Sequence, residues 1–279
     1  MEVYVRAAYV ALGLVVPLLA FLRWLHPAPS TTDLSLAFLL GMMGTALVAL
    51  VRAAFGWPEA GWGRAFVTAG GLEEGAKLAL GWALVGRLRR EGGFGPAEAA
   101  LSLAFLGGGF AAVEDFHYLV AGLERGLGWG AVVAARALPM HVALGMVVGV
   151  VVGRAGAVPL PWVGAAWALG AGLHGGFNLV AQAADLSWAA LYAAGVTGWG
   201  LALMWRWARW SPWALHRWLG VGGMWEANRA VRWLGWTGLE LVLGQRSAPS
   251  LAWLPLALSL VVLYPLLILA LGLLTQLVL

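Results

Sequence analysis

The sequence predicts an all-α protein: a polytopic bundle of about eight transmembrane helices with an amphipathic interfacial segment on its cytoplasmic side. Three observations carry this reading. Of 279 residues, 62% are hydrophobic and 11% charged, against about 45–50% and about 25% in soluble domains. Apolar runs of about 20 residues, long enough to cross the hydrocarbon as helices, recur along the whole chain. The basic residues are few and stand in short stretches beside those runs, where they act as topology signals.

The runs lie at 4–25, 34–55, 64–86, 97–121, 130–153, 159–182, 187–207 and 253–278. The first is longer than a signal-peptide core, and Leu22-Arg23-Trp24-Leu25 offers no small-residue cleavage site, so it reads as a retained anchor. The first, second, seventh and eighth have no charged residue in their middles, whereas the third to sixth hold ionisable residues. Residues 1–207 therefore form the main bundle, with a polar core at 64–182, and 253–279 hold the last span. Between them, 208–252 is the interfacial segment; from 205 to 236 eight tryptophans interleave with arginines, a composition suited to the headgroup layer.

Alternating the loops places Arg23, Arg87, Arg89, Arg90, Arg154, Arg206, Arg209, Arg217, Arg229, Arg232 and Arg246 on one side. Arg6, Arg52, Arg64 and Arg125 fall on the other. By the positive-inside rule the first side is cytoplasmic and both termini are extracytoplasmic. The formal charge of +4 is dispersed among spans, which argues against a nucleic-acid partner. The absence of cysteine excludes disulfides, thiolate nucleophiles and Cys-ligated metals.

An ionisable residue near the bilayer centre costs roughly 2.5–3.5 kcal/mol on insertion scales, so a cluster of them needs a reason. The third run contains Glu73, Glu74 and Lys77, the fourth Glu114, Asp115, His117 and Tyr118, the fifth Arg136 and His141, and the sixth His174 and Asn178. Counting inward from the outer ends puts Glu73, Glu114, His141 and His174 in one layer about 12–18 Å deep, at ~1.5 Å per residue. Four helices can then converge on one pocket. Spacing of four along a helix pairs Glu73 with Lys77, Glu114 with Tyr118 and His174 with Asn178. Glu73 and Glu74 lie about 100° apart, so one faces the reaction centre and the other a neighbouring helix. Arg136 is expected to partner a carboxylate, and Pro139 to kink its helix beside His141. The glycines around these positions read mainly as close-packing sites.

Glu73, Glu74, Glu114 and Asp115 against Lys77 and Arg136 leave an excess of two negative charges. A low-dielectric interior relieves this by protonating carboxyls, charging histidines or binding a divalent cation. Glu73, Glu114, His141 and His174 are the candidate ligands and zinc the candidate cofactor, although no HExxH motif is present. Amide hydrolysis needs a base to activate water and donors aimed at an oxyanion, and these residue types supply both. No serine occupies a comparable polar cluster, which argues against a Ser/His dyad.

The ordered set resembles the PrsW-type intramembrane proteases, distant relatives of the CAAX prenyl endopeptidases and Abi membrane proteins. Its elements are Glu73-Glu74-Gly75-Ala76-Lys77, Phe110 through Glu114 to Tyr118, His141, and His174 through Asn178. The second element presents Glu114 where the CAAX branch has histidine. The resemblance implies a peptidase acting on membrane-protein substrates, anti-sigma-like single-span proteins among them, near the extracytoplasmic face. It also implies Glu73 as general base, Glu74 and Lys77 as supports, and His174 with Asn178 as the oxyanion pair. The alternatives from other classes are a proton- or ion-coupled transporter, since buried carboxylates and histidines also build proton relays, and a non-catalytic membrane binding protein. A transporter would show paired repeats or broken helices in both halves, whereas the polar groups here are confined to the third to sixth runs.

Overall fold

The structure, a computed structural model, describes residues 2–26, 30–56, 61–90, 95–126, 139–154, 160–183, 186–208 and 211. Among them the chain is entirely helical: α1 (Glu2–Leu25), α2 (Thr31–Phe55), a π-helical segment (Gly63–Glu73) running into α3 (Glu74–Arg90), α4 (Pro96–Glu124), α5 (Met140–Arg154), α6 (Leu160–Ala183) and α7 (Leu186–Ala208). Val3–Arg23, Thr31–Phe55 and Pro96–Glu124 are long and apolar enough to cross a membrane, and Met140–Arg154 is a shorter apolar helix. Arg136, nearly all of the interfacial segment 208–252 and the last predicted span lie outside the described residues.

Local chemistry sets several helix ends. Ser30 caps α2, its hydroxyl accepting from the Asp33 N–H at 3.1 Å, and Gly56 ends it in the left-handed region at φ 60°, donating its N–H to the Arg52 carbonyl. Pro96 opens α4, where a missing N–H costs no hydrogen bond. Pro139 precedes the described start of α5, and its carbonyl accepts from the Ala143 N–H at 2.9 Å. His141 therefore sits in the first turn of α5 as described, next to the proline.

Helix α4 is the hub. Its apolar window is 83% buried, against 33% for α1 and 28% for α2, so the first two helices flank it and keep outward faces. Close approach to α4 depends on glycine. A Cβ at Gly41 would collide with the Leu106 carbonyl, at Gly107 with the His141 carbonyl, and at Gly145 with the Leu103 carbonyl. Gly149 and Gly153 continue that stripe against Ala99–Ala100 and Pro96, which is the small-residue packing of membrane helices.

At one end of the bundle is a buried polar cluster that helical spacing does not reveal. His26 Nε2–H donates to Glu98 Oε1 at 2.9 Å, Ser211 donates to the same oxygen, and the Gly95 N–H donates to Glu98 Oε2 at 2.8 Å. The cluster joins the ends of α1 and α7 to the start of α4. It lies sixteen residues before Glu114 on α4, or about 24 Å at 1.5 Å per residue.

Candidate active site

Four chain segments bring the polar residues together. The π-helical segment ends at Glu73 and α3 begins at Glu74, so the change of helical winding falls between the two glutamates. Such wide turns free backbone carbonyls and are frequent at functional sites. Here Trp167 of α6 donates its indole N–H to the Gly71 carbonyl at 2.9 Å. Gly70 lets the segment meet the backbone of Ala171, where a Cβ would lie 2.5 Å from the carbonyl oxygen, and Gly175 of α6 accommodates the Phe66 ring. Glu73 is thereby held beside His174, with Oε2 3.9 Å from Nε2.

From there a continuous chain of contacts runs through the buried groups. His174 Nδ1–H donates to Glu74 Oε1 at 2.7 Å. Lys77 donates to the same Glu74 oxygen and to His141 Nδ1 at 2.8 Å. His141 Nε2–H then donates to Glu114 Oε2 at 2.7 Å. An ammonium has no acceptor, so the Lys77 contact fixes Nδ1 of His141 as a lone pair and Nε2 as the N–H. Glu74 accepts at Oε1 from both Lys77 and His174, with Nδ1–H as the His174 donor. The Phe110 ring covers the cluster, 4.8 Å from Lys77 Nζ and 5.0 Å from the His141 ring. The two imidazoles meet edge to face at 4.9 Å. Glu73, Glu74, Lys77, His141 and His174 are all buried.

A cleft of about 640 Å³ opens onto this chain between α2, the π-helical segment, α4 and α6. Glu73 and Glu114 line it, as does Asn178, one helical turn beyond His174. Glu74, Lys77 and His141 face instead a small pocket on the other side, with Trp167 and Gly107. The two adjacent glutamates thus occupy different surroundings, Glu73 toward open space and Glu74 between Lys77 and His174.

One oxygen of Glu73 and one nitrogen each of His141 and His174 lie within 4.8 Å of one another, all in buried residues. Their types are those zinc takes, and His174 has the carboxylate behind it that orients metal-binding imidazoles. With both imidazoles neutral, Glu73, Glu74, Glu114 and Lys77 sum to two negative charges, which a divalent cation would balance. The donor set fits a metal, with one condition: His141 exchanges a present partner for the ion, either the Lys77 N–H at Nδ1 or Glu114 at Nε2 with the ring proton moved to Nδ1.

The geometry also adds to the sequence expectations. Lys77 pairs with Glu74, three residues before it on α3, a contact that the spacing of four from Glu73 does not point to. Tyr118 accepts from Arg64 Nη2 at 3.2 Å, and it lines the cleft together with Glu114. His174 meets Glu74 through Nδ1 and approaches Glu73 through Nε2, with Asn178 one turn further along α6. Helical spacing alone did not point to Trp167, and Arg52 and Arg64 were read only as topology signals. For Trp167 a signal existed, since it precedes His174 by seven residues and so shares its helical face.

A sequence model described as the PrsW family of intramembrane metalloproteases matches residues 29–220, a stretch that contains the whole cluster. No curated protein and no solved structure matches the chain.

Proposed function

The chain belongs to the PrsW family of intramembrane metalloproteases, and on that premise we propose that Glu73 is the general base in hydrolysis of membrane-protein substrates on the extracytoplasmic side of the bilayer. The observation that supports this is the division of labour between neighbouring carboxylates. Glu74 is occupied by Lys77 and His174, while Glu73 lines the cleft a substrate can enter.

In this reading an extended substrate segment lies along the cleft with its scissile carbonyl beside Glu73. Glu73 takes a proton from water, the hydroxide oxygen bonds to the carbonyl carbon, and the Asn178 amide N–H stabilises the oxyanion. The proton then passes from Glu73 to the amide nitrogen, the C–N bond breaks, and a new carboxyl and a new amine separate. Glu74 and Lys77 position His174 and His141 and take no part in bond making. A divalent cation held by Glu73, His141 and His174 would polarise the carbonyl as a Lewis acid. The bilayer placement rests on the apolar helices that flank the site and on the arginine distribution.

The test is product formation from single-span membrane proteins reconstituted with wild type, Glu73→Gln and His174→Ala, with and without a chelator. The reading expects cleavage by the wild type alone. Cleavage that persists in folded Glu73→Gln would remove Glu73 from the role of base, and ion flux without cleavage would replace the protease by a transporter.

A further inference from the structure

The cleft carries charges of both signs. Glu73 and Glu114 line it together with Arg52 and Arg64, and Arg52 stands in the last turn of α2. Contacts between helices set the levels. Thr45 of α2 donates to the Phe110 carbonyl at 3.3 Å, at the height of the catalytic groups, and Arg52 lies seven residues further along α2, about 10 Å away. Arg64 reaches the same height from the π-helical segment, since its Nη2 donates to Tyr118, one turn beyond Glu114 on α4. His117 lines the cleft as well, its Nδ1–H donating to the Val113 carbonyl at 2.9 Å.

From this arrangement we infer that the cleft recognises a carboxylate of its substrate about three residues from the scissile bond, through Arg52 and Arg64. The inference rests on the proposed hydrolysis at Glu73 and deepens it. An extended peptide advances about 3.3 Å per residue, so about 10 Å separates the scissile carbonyl from a group three residues on. The phenol that holds Arg64 is neutral and takes one of five guanidinium N–H donors, which leaves the charge uncompensated by Tyr118 and a fork that suits a carboxylate bidentately. An acidic group in the opposite register would meet Glu73 and Glu114 and be repelled, so the same charges set the direction in which a substrate lies. The carboxylate has two sources, an Asp or Glu side chain or the free C-terminus of a shortened stub.

Peptide affinity for the Glu73→Gln protein in zwitterionic nanodiscs tests this without turnover. The probes are single-span peptides carrying Asp, Asn or Lys at each of six successive positions outside the apolar run, together with peptides ending at each position as a free acid or an amide. The expected result is about tenfold tighter binding of the acidic form over a window of one or two positions. Loss of that preference in Arg64→Gln and its reversal toward Lys in Arg64→Glu are expected in the same assay. An Asp-only preference assigns the side chain, and a free-acid-only preference the terminus. Equal binding of Asp, Asn and Lys at every position would overturn the inference, and that scan needs no arginine variant to fold. A preference that survives Arg52→Gln/Arg64→Gln, or that an anionic lipid abolishes, would overturn it too. Cleavage by wild type without any charge preference leaves the protease reading intact, and charge-selective binding without cleavage does the reverse.

Discussion

Substituting Lys77 by methionine keeps most of the side-chain volume and removes the cation at the middle of the buried chain. Lys77 is 6% exposed and Glu74 5%, so neither charge can turn to water when the other is lost. The substitution leaves the Glu74 carboxylate with His174 as its remaining donor among the contacts described and takes the donor from His141 Nδ1. Breaking a buried ion pair from one side costs about 3–5 kcal/mol, chiefly the penalty of the abandoned charge. Glu74→Gln alone should cost about 1.5–3 kcal/mol, because the amide oxygen can still accept while the charge-assisted part of both bonds is lost. The double variant removes both charges together and should cost well under the sum, a coupling of about 2 kcal/mol or more. Unfolding of all four proteins in mixed micelles, followed by a spectroscopic probe and closed as a double-mutant cycle, measures this. Effects that add to within about 0.5 kcal/mol would show that the two residues do not form the pair, and the ordering of His141 and His174 through them would fall with it.

Three further outcomes follow from the same geometry. Gly107→Ala, whose Cβ would strike the His141 carbonyl, should cost about 1–3 kcal/mol and lower activity, whereas Gly44→Ala, whose nearest neighbour is a Leu80 methyl at 3.3 Å, should be tolerated far better; matched melting temperatures and turnover numbers check the pair. Asn178→Ala should lower kcat by about 10²–10³ with a small change in KM, and an equal fall in peptide affinity would move Asn178 from transition-state stabilisation to substrate binding. Chelation followed by dialysis should abolish cleavage, zinc should restore it, and bound metal per chain, measured by mass spectrometry, should drop in His174→Ala; full metal content in that variant would take His174 out of the ligand set.

The membrane character and the participating helices were legible because both follow from composition and period: 62% hydrophobic residues leave no soluble reading, and an ionisable group in an apolar run stands out at once. Glu73, Glu74, Glu114, His141 and His174 were visible for that reason, spread over four runs, and the structure brings these residues into one contact chain. What spacing missed depends on local geometry that a uniform helix hides. The π-helical stretch Gly63–Glu73 has no compositional mark separating it from an α-helix, yet it puts the change of winding between Glu73 and Glu74. His26, Glu98 and Ser211 lie near the predicted ends of runs, where polar residues are expected anyway, and only tertiary folding shows that they meet in a buried cluster. Arg52 and Arg64 were counted as topology signals, a role that does not preclude their lining the cleft.

The central claim, hydrolysis of peptide bonds within the membrane at Glu73, is tested most directly by comparing new protein termini in native membranes that contain either the wild type or Glu73→Gln at equal abundance. The account predicts termini present with the wild type alone, clustered at the extracytoplasmic ends of single spans. Identical termini in the two membranes, with both proteins folded, would contradict it.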